Sequence, residues 1–234
     1  MVLANELFDA FPVERFTIEQ AQARRIYVNC SSGEARMADG SFFTVTQADA
    51  SVRDSVSALQ LDLSETFAEG FTSEYCSLLN PWWRSMAQVM RKGLLLICDY
   101  GCDRGSYYSA ARSSGSLRCF FRHGVHNDPL VYAGVQDLTA DVDFTALTQA
   151  AIDAGFELEG YTPLSQFMLG NEVLKDHEQS MAGASEQAQI AATSKLKQLL
   201  LPQEMGERFM VAGYSVGIRH PLQGFSLADW SRVL

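Results

Sequence analysis

An apolar strand, Leu94-Leu95-Leu96-Ile97-Cys98, runs straight into Asp99-Tyr100-Gly101, and a segment dense in Arg, His, Tyr, Gly and Asp follows before a helical pattern resumes at Phe144. A connection of that length without structure of its own is rare in a compact domain and is normally a lid, a binding loop or disorder. Tyr107, Tyr108, Phe120, Phe121 and Tyr132 supply apolar anchors, which argues against disorder. Open α/β sheets bind ligands beyond the carboxyl ends of their strands, so Asp99 and residues 100–142 fall where a site belongs.

Hydrophobic periodicity on either side describes an α/β chain. Residues 14–18, 25–28 and 42–46 alternate as hairpin strands, with turn chemistry at Ser31-Ser-Gly33 and Asp39-Gly40, and predict an inserted β element over 12–47. Residues 48–59 suit a short helix and 71–75 a short strand. Asn80-Pro81 reads as an N-cap followed by proline at the first helical position, and Trp82, Met86, Val89 and Met90 recur at helical spacing until Gly93. Asp143 is expected to cap a helix carrying Phe144, Leu147, Ala150, Ala151 and Ala154 on one side, with Gly155 as its stop. Residues 156–161 form the next strand, Pro163 opens a helix ending near Gly170, 186–201 is helical, and 209–216 is the last strand.

Composition narrows the class. With 234 residues, 47% hydrophobic and 20% charged, the chain suffices for one sizeable core or one core plus a small subdomain. It is read as a single domain, 1–234. No apolar run approaches the roughly 18 residues of a membrane span, and Met1 to Pro12 carries acids where a signal peptide carries Lys or Arg. A cytoplasmic chain without a membrane partner is therefore expected. A formal charge of −10 and a pI near 4.8 argue against unspecific nucleic-acid binding and favour a basic partner. Five cysteines, with no short paired framework, point to a reducing compartment.

Several runs carry a resemblance. Asp99-Tyr100-Gly101, Tyr107-Tyr108, Arg112-Ser-Ser-Gly115-Ser-Leu117, Cys119, Arg122-His123, His126-x-Asp128-Pro129 and Gln136-Asp137-Leu-Thr139-x-x-Val142-Asp143-Phe144-Thr145 resemble the MidA-like S-adenosylmethionine-dependent methyltransferases. That family is found in bacteria and as a mitochondrial complex I assembly factor. Asn5-Glu6-Leu-Phe-Asp9-Ala-Phe-Pro12-Val, Glu74, Gly160-Tyr161-Thr162 and Glu204-Met-Gly-Glu207-x-Phe209 match it in the same order. The resemblance implies the second half of a class I, Rossmann-like methyltransferase sheet with an inserted β element and extra helices. It also makes 100–142 a long active-site loop, S-adenosyl-L-methionine the cofactor, and the mitochondrial matrix the location in a eukaryote. Enzymes of the family open with a strand, a Gly-rich turn and a helix that hold the cofactor, and Met1-Val2-Leu3-Ala4 looks like the tail of their fourth strand. This chain is therefore expected to be either the carboxyl-terminal part of a longer enzyme or a truncated form. A half-sheet of this kind would expose an edge, so a homodimer is a further expectation.

Asn5, Glu6 and Asp9 follow the first strand, where this class presents groups to cofactor and methyl acceptor. Two carboxylates can grip a planar guanidinium through bidentate, charge-assisted hydrogen bonds. Holding one guanidinium nitrogen in line with the sulfonium methyl would supply most of the catalysis. The family's eukaryotic member is linked to arginine methylation, so a protein substrate presenting an arginine is implied. Glu6 capping a turn and Asp9 being solvated is the competing reading. Asp99, Tyr100, Arg122 and His123 complete the candidate catalytic set. Arg112, Arg118, Arg122, His123 and His126 either shape an acceptor channel or pin an ordered loop to Asp99, Asp128, Asp137 or Asp143. Stacking on single-stranded nucleic acid is a weaker third use. Cys98, Cys102, Cys119 and the two histidines have looser spacing than zinc ribbons, and no metal is assigned. Ser109-Ala110, Phe120-Phe121 and Asp141 stand where the family usually has His-Pro, His-Tyr and His. An assembly module that holds a partner without chemistry therefore stays open beside the enzyme.

Overall fold

The computed structural model describes residues 1–30, 42–122, 124–218 and 221–234. The expected turns at Ser31-Ser-Gly33 and Asp39-Gly40 lie outside them. Twelve strands are formed: β1 Val2–Asn5, β2 Glu14–Glu19, β3 Gln22–Cys30, β4 Phe42–Ala48, β5 Thr72–Tyr75, β6 Gly93–Cys102, β7 Arg118–Phe121, β8 Gly124–His126, β9 Asp137–Thr139, β10 Val142–Asp143, β11 Glu157–Pro163 and β12 Phe209–Val216. The helices are α1 Ala50–Leu63, α2 Leu79–Val89, α3 Arg104–Tyr107, α4 Phe144–Asp153, α5 Leu164–Gly170, α6 Val173–Met181 and α7 Glu186–Leu200. Contacts divide the chain into two compact units, one of Met1–Phe8, Leu79–Asp103 and Val142–Leu234, the other of Asp9–Leu78 and Arg104–Asp141.

The first unit is built on a mixed sheet in the order β1-β6-β12-β11, with β10 continuing beside the end of β6. β1 runs parallel to β6, and β12 runs antiparallel to both β6 and β11. This order, with β12 as its reversed strand, is the one that the resemblance implies for the second half of a class I methyltransferase sheet. β6 is apolar on both faces because both are covered, as in other sandwiched sheets. On one side Trp83 of α2 is fully buried, 4.9 Å from the rings of both Phe156 and Tyr214, and α2 packs on α4. On the other, Cys98, Leu164, Phe209, Val211 and Phe225 form a cluster closed by Leu96, Tyr100 and Phe167. Asp143 caps α4 by accepting from the Ala146 amide at 2.9 Å, as its position predicts. α2 begins one residue before the expected cap, at Leu79, which leaves Pro81 inside the first turn, where no amide hydrogen is needed. α6 is a helix that was not expected from the sequence, and none of its side chains is buried.

Gly160 and Gly213 are register partners on β11 and β12, and they leave a bare patch on the sheet. The Phe225 ring fills it, so close that a Cβ on Gly160 would lie 2.3 Å from a ring carbon. Beyond Phe225, the Asp229 carboxylate accepts from the Tyr161 amide at 3.1 Å and the Trp230 amide donates to the Tyr161 carbonyl. Tyr161, on the outer edge of β11, is thereby met at both its amide and its carbonyl.

The second unit holds an antiparallel sheet, β4-β3-β2-β5, and a smaller one, β8-β7-β9. The inserted β element expected over 12–47 corresponds to β2, β3 and β4, and β5, from outside that range, completes their sheet. α1 is capped by Asp49, whose carboxylate accepts from the Ser51 and Val52 amides and from the Tyr27 hydroxyl at 2.8 Å. Residues 100–142 required correction. They are not a connection without structure but carry α3 and three strands, because Cys119 to Phe121 pair on one side with β8 and Arg118 to Phe120 on the other with β9. The loop is pinned by arginines, but to a different acid from those expected: Arg112 meets Asp141 at 2.5 Å and Arg118 reaches it at 3.9 Å.

Glu74 on β5 is the polar centre of this unit. Fully buried, its Oε1 accepts from the Ser116 amide and hydroxyl, each at 2.6 Å, and from the Tyr107 hydroxyl at 3.2 Å. Burial, and then the Glu74 charge, push the Tyr107 phenol well above its usual value, so it stays a donor. The Ser116 hydroxyl in turn accepts from the Asp141 amide at 2.9 Å.

Gly160→Ala is expected to eject Phe225 and cost about 1–3 kcal/mol, the range for overpacking a filled site, seen as a lower urea midpoint and faster proteolysis of the last residues. Glu74→Ala should cost about 2–3 kcal/mol by leaving Ser116 and Tyr107 without their charged acceptor. An unchanged midpoint would show that Glu74 does not organise the unit.

Candidate functional site

The carboxyl ends of β1 and β6 lie side by side, with Asn5 in register with Cys98. The chain leaves β1 through Glu6, which adopts a left-handed backbone, φ 48°. A residue with a side chain avoids this region, at a cost of about 1–2 kcal/mol. The surrounding hydrogen bonds over-determine it. The Glu6 amide donates to the Cys98 carbonyl at 3.0 Å. Asp99, fully buried, receives the Leu7 and Phe8 amides on Oδ2 at 3.1 and 2.8 Å, and its own neighbour's amide, Tyr100, on Oδ1 at 3.0 Å. One carboxylate thus ties the turn after β1 to the end of β6.

Each residue of Asp99-Tyr100-Gly101 has a separate task. Asp99 points inward and holds backbone. Tyr100, alternating to the other face of β6, packs its ring, tilted, 4.1 Å from that of Phe209 and donates its hydroxyl to Glu6 Oε2 at 2.9 Å. Gly101 lies where β10 pairs with β6, and a Cβ there would sit 2.2 Å from the Val142 carbonyl oxygen. Asn5 donates to Glu6 Oε1 at 3.2 Å. The Glu6 carboxylate is therefore exposed yet held at both oxygens, and each oxygen keeps a lone pair for a ligand. Cys98 beside it is no nucleophile: burial, with the Asp99 and Glu6 charges adding, pushes its thiol up to about 12.

The structure brings together Asn5, Glu6, Asp99 and Tyr100. Asp9 and Arg122 belong to the second unit. Asp9 is buried, 4% exposed, and its carbonyl accepts from the Ala140 amide at 2.9 Å. Arg122 is exposed in the turn between β7 and β8, with φ 47° and its guanidinium 5.2 Å from the centre of the Phe121 ring. His123 lies outside the described residues. Among the described residues no three His, Cys, Asp or Glu side chains gather as metal ligands, and no helix is long and apolar enough to cross a membrane. Sequence reasoning missed the anchoring roles of Glu74 and Asp141, which depend on contacts far apart in the chain.

Asp99→Asn replaces an acceptor facing three amides with a group that has one acceptor atom and two donors. A loss of about 2 kcal/mol, the cost of an unsatisfied buried partner, is expected by urea unfolding, while Tyr100→Phe should shift the midpoint far less. Equal stability of Asp99→Asn and the parent would remove Asp99 from this role.

Comparison with known proteins follows the same lines. A family model described as "Putative S-adenosyl-L-methionine-dependent methyltransferase" matches residues 1–162. The Drosophila melanogaster protein named Protein arginine methyltransferase NDUFAF7 homolog, mitochondrial, is 27% identical over 242 residues, which cover 97% of this chain and 51% of that protein. Its Danio rerio counterpart, Protein arginine methyltransferase NDUFAF7, mitochondrial, is 28% identical over 215 residues, 88% of this chain and 45% of the other. The chain thus spans about half the length of the curated relatives it matches. An uncharacterised protein from Burkholderia thailandensis superposes with a TM-score of 0.88 at 29% identity, over 100% of this chain and 59% of its own. A second structure from that organism, bound to S-adenosyl-homocysteine, gives 0.85 at 30% identity, over 100% and 57%. With its sheet order, its ordered strand-end carboxylate and a family match through residue 162, this chain belongs to the MidA-like family of S-adenosylmethionine-dependent methyltransferases.

Proposed function

We propose that this chain supplies the acceptor side of an S-adenosylmethionine-dependent methyltransferase acting on arginine side chains of a protein. The observation that carries the proposal is Glu6: an exposed carboxylate on a left-handed backbone, fixed by Tyr100 and Asn5 at the carboxyl end of a parallel strand pair. Strain held at a strand end by surrounding bonds is the usual mark of a functional position. The relatives named protein arginine methyltransferases support arginine as the acceptor.

The residues present fit the cofactor's chemistry. Its ammonium, hydroxyls and sulfonium call for carboxylate and amide oxygens, and Glu6 and Asn5 offer these at the strand end. When bound, S-adenosylmethionine supplies a methyl group on a positively charged sulfur. Glu6 would orient the guanidinium by accepting from its N–H groups and would localise positive charge on the nitrogens it grips, leaving the remaining nitrogen more electron-rich. Tyr100 keeps that carboxylate from swinging into solvent. Asp99 fixes the turn that carries it, as a positioning residue. Arg122 and His123 are further candidates for contact with the protein substrate, and buried Asp9 for positioning within its own unit.

Arginine methylation, followed by mass spectrometry with labelled S-adenosylmethionine, is expected to fall roughly a hundredfold in Glu6→Gln, as expected when a positioned reactant is released. Tyr100→Phe should give a smaller loss. Full methyl transfer by Glu6→Gln would sink the clamp, and methylation confined to lysine or a small molecule would remove arginine as the acceptor.

A further inference from the structure

The smaller sheet of the second unit ends on β8, and that edge is open. Val125 is 59% exposed, and its register partner on β7, Phe120, is exposed on the same face. On the other face Tyr132, 51% exposed, stacks on Phe121 at 4.3 Å and lies 5.9 Å from the His126 ring. An outer strand leaves amides and carbonyls without a strand partner, and native edges are usually blunted by charge, proline or cover. Gly124-Val125-His126 contains no Lys, Asp, Glu or Pro. We propose that β8 pairs antiparallel with β8 of a second copy of this chain, joining the two small sheets into one.

Charge selects the occupant. The chain carries −10, so two copies repel at long range and meet stably only where their charges locally alternate. β8 is such a place. Arg122 precedes it and Asp128 follows it, both exposed. Among the described residues neither meets an opposite charge: Arg122 lies over the Phe121 ring, and Asp128 Oδ1 accepts from the Leu130 amide. In an antiparallel pair centred on Val125, each residue faces the one equally far beyond the centre in the other copy. Arg122 of each copy then faces Asp128 of the other, and the two-fold axis makes the contact twice. Opposite charges facing across strands are favourable, and like charges are not.

β9, the other edge of the same sheet, offers no such match. Its run from Gln136 to Asp141 carries only acids, Asp137 and Asp141. A three-residue strand with few large side chains beside it makes a weak contact rather than an obligate one. The Glu6 reading does not depend on this contact, and either can fail alone. In the dimer Arg122 is occupied by the other copy and is withdrawn from substrate contact.

The test is sedimentation equilibrium of the full chain over roughly 1 μM to 1 mM, the range of weak association. Concentration-dependent dimers are expected. Val125→Lys, a charge on the exposed edge, should weaken them at least tenfold while leaving thermal unfolding unchanged. Arg122→Asp and Asp128→Arg each bring like charges face to face and should each do the same. An equimolar mixture of those two variants restores both attractions, so it is expected to form heterodimers about as tight as the parent dimer. Val125→Lys decides the matter if either charge variant does not fold. A monomer throughout the range, dimers indifferent to Val125→Lys, or a mixture that associates no better than its components overturns the proposal.

Discussion

The buried carboxylate of Asp99 is the constraint on which the candidate site depends. A carboxylate removed from water must be met by donors, and here three backbone amides meet it, two of them from the turn that follows a strand more than ninety residues earlier in sequence. Those bonds fix the path of the chain after β1 and so hold Glu6 in a backbone region it would otherwise avoid. Tyr100, one position further on, reaches the Glu6 side chain because alternation turns it to the other face of β6. Two adjacent residues on one strand thus set the backbone and the side chain of the same glutamate.

A second buried carboxylate plays the corresponding part in the other unit. Glu74 gathers Tyr107 and Ser116, and Ser116 passes the connection to the Asp141 amide, while Arg112 and Arg118 close on the Asp141 side chain. Asp141 stands where the resemblance expects a histidine. Here it is the anion that fixes the segment's arginines, so the departure has a structural use. Gly115, with φ 78°, belongs to the same arrangement, since a side chain there would collide with Glu74 Oε2.

Strong periodicity made the first unit legible. The runs at β12, α4 and α7 lie within one or two residues of their expected bounds, and β6 begins where expected but continues to Cys102, past its expected end at Asp99. Asp143, as an N-cap, acts over three residues and could be read directly. What could not be read depends on distant pairing. β7 to β9 are three or four residues long, too short for a period to declare itself, and they exist because they pair with one another. Asp99 was singled out by its place at a strand end; its side chain turns inward and holds the turn that carries Glu6. Glu6 was found by position and resemblance, but the restraint on its carboxylate comes from Tyr100, across the sheet.

The place of β12 in the sheet governs the order in which the first unit can be assembled. β6 and β11 are made early, yet they have no hydrogen bonds to each other; β12 lies between them and bonds to both. Until Phe209–Val216 has left the ribosome, β6 and β11 cannot be joined, whereas Asp9–Leu78 and Arg104–Asp141 are already complete. The inserted unit can therefore fold during synthesis while the sheet that carries Glu6 waits for β12, which makes closure of that sheet a long-range step that follows folding of the inserted unit.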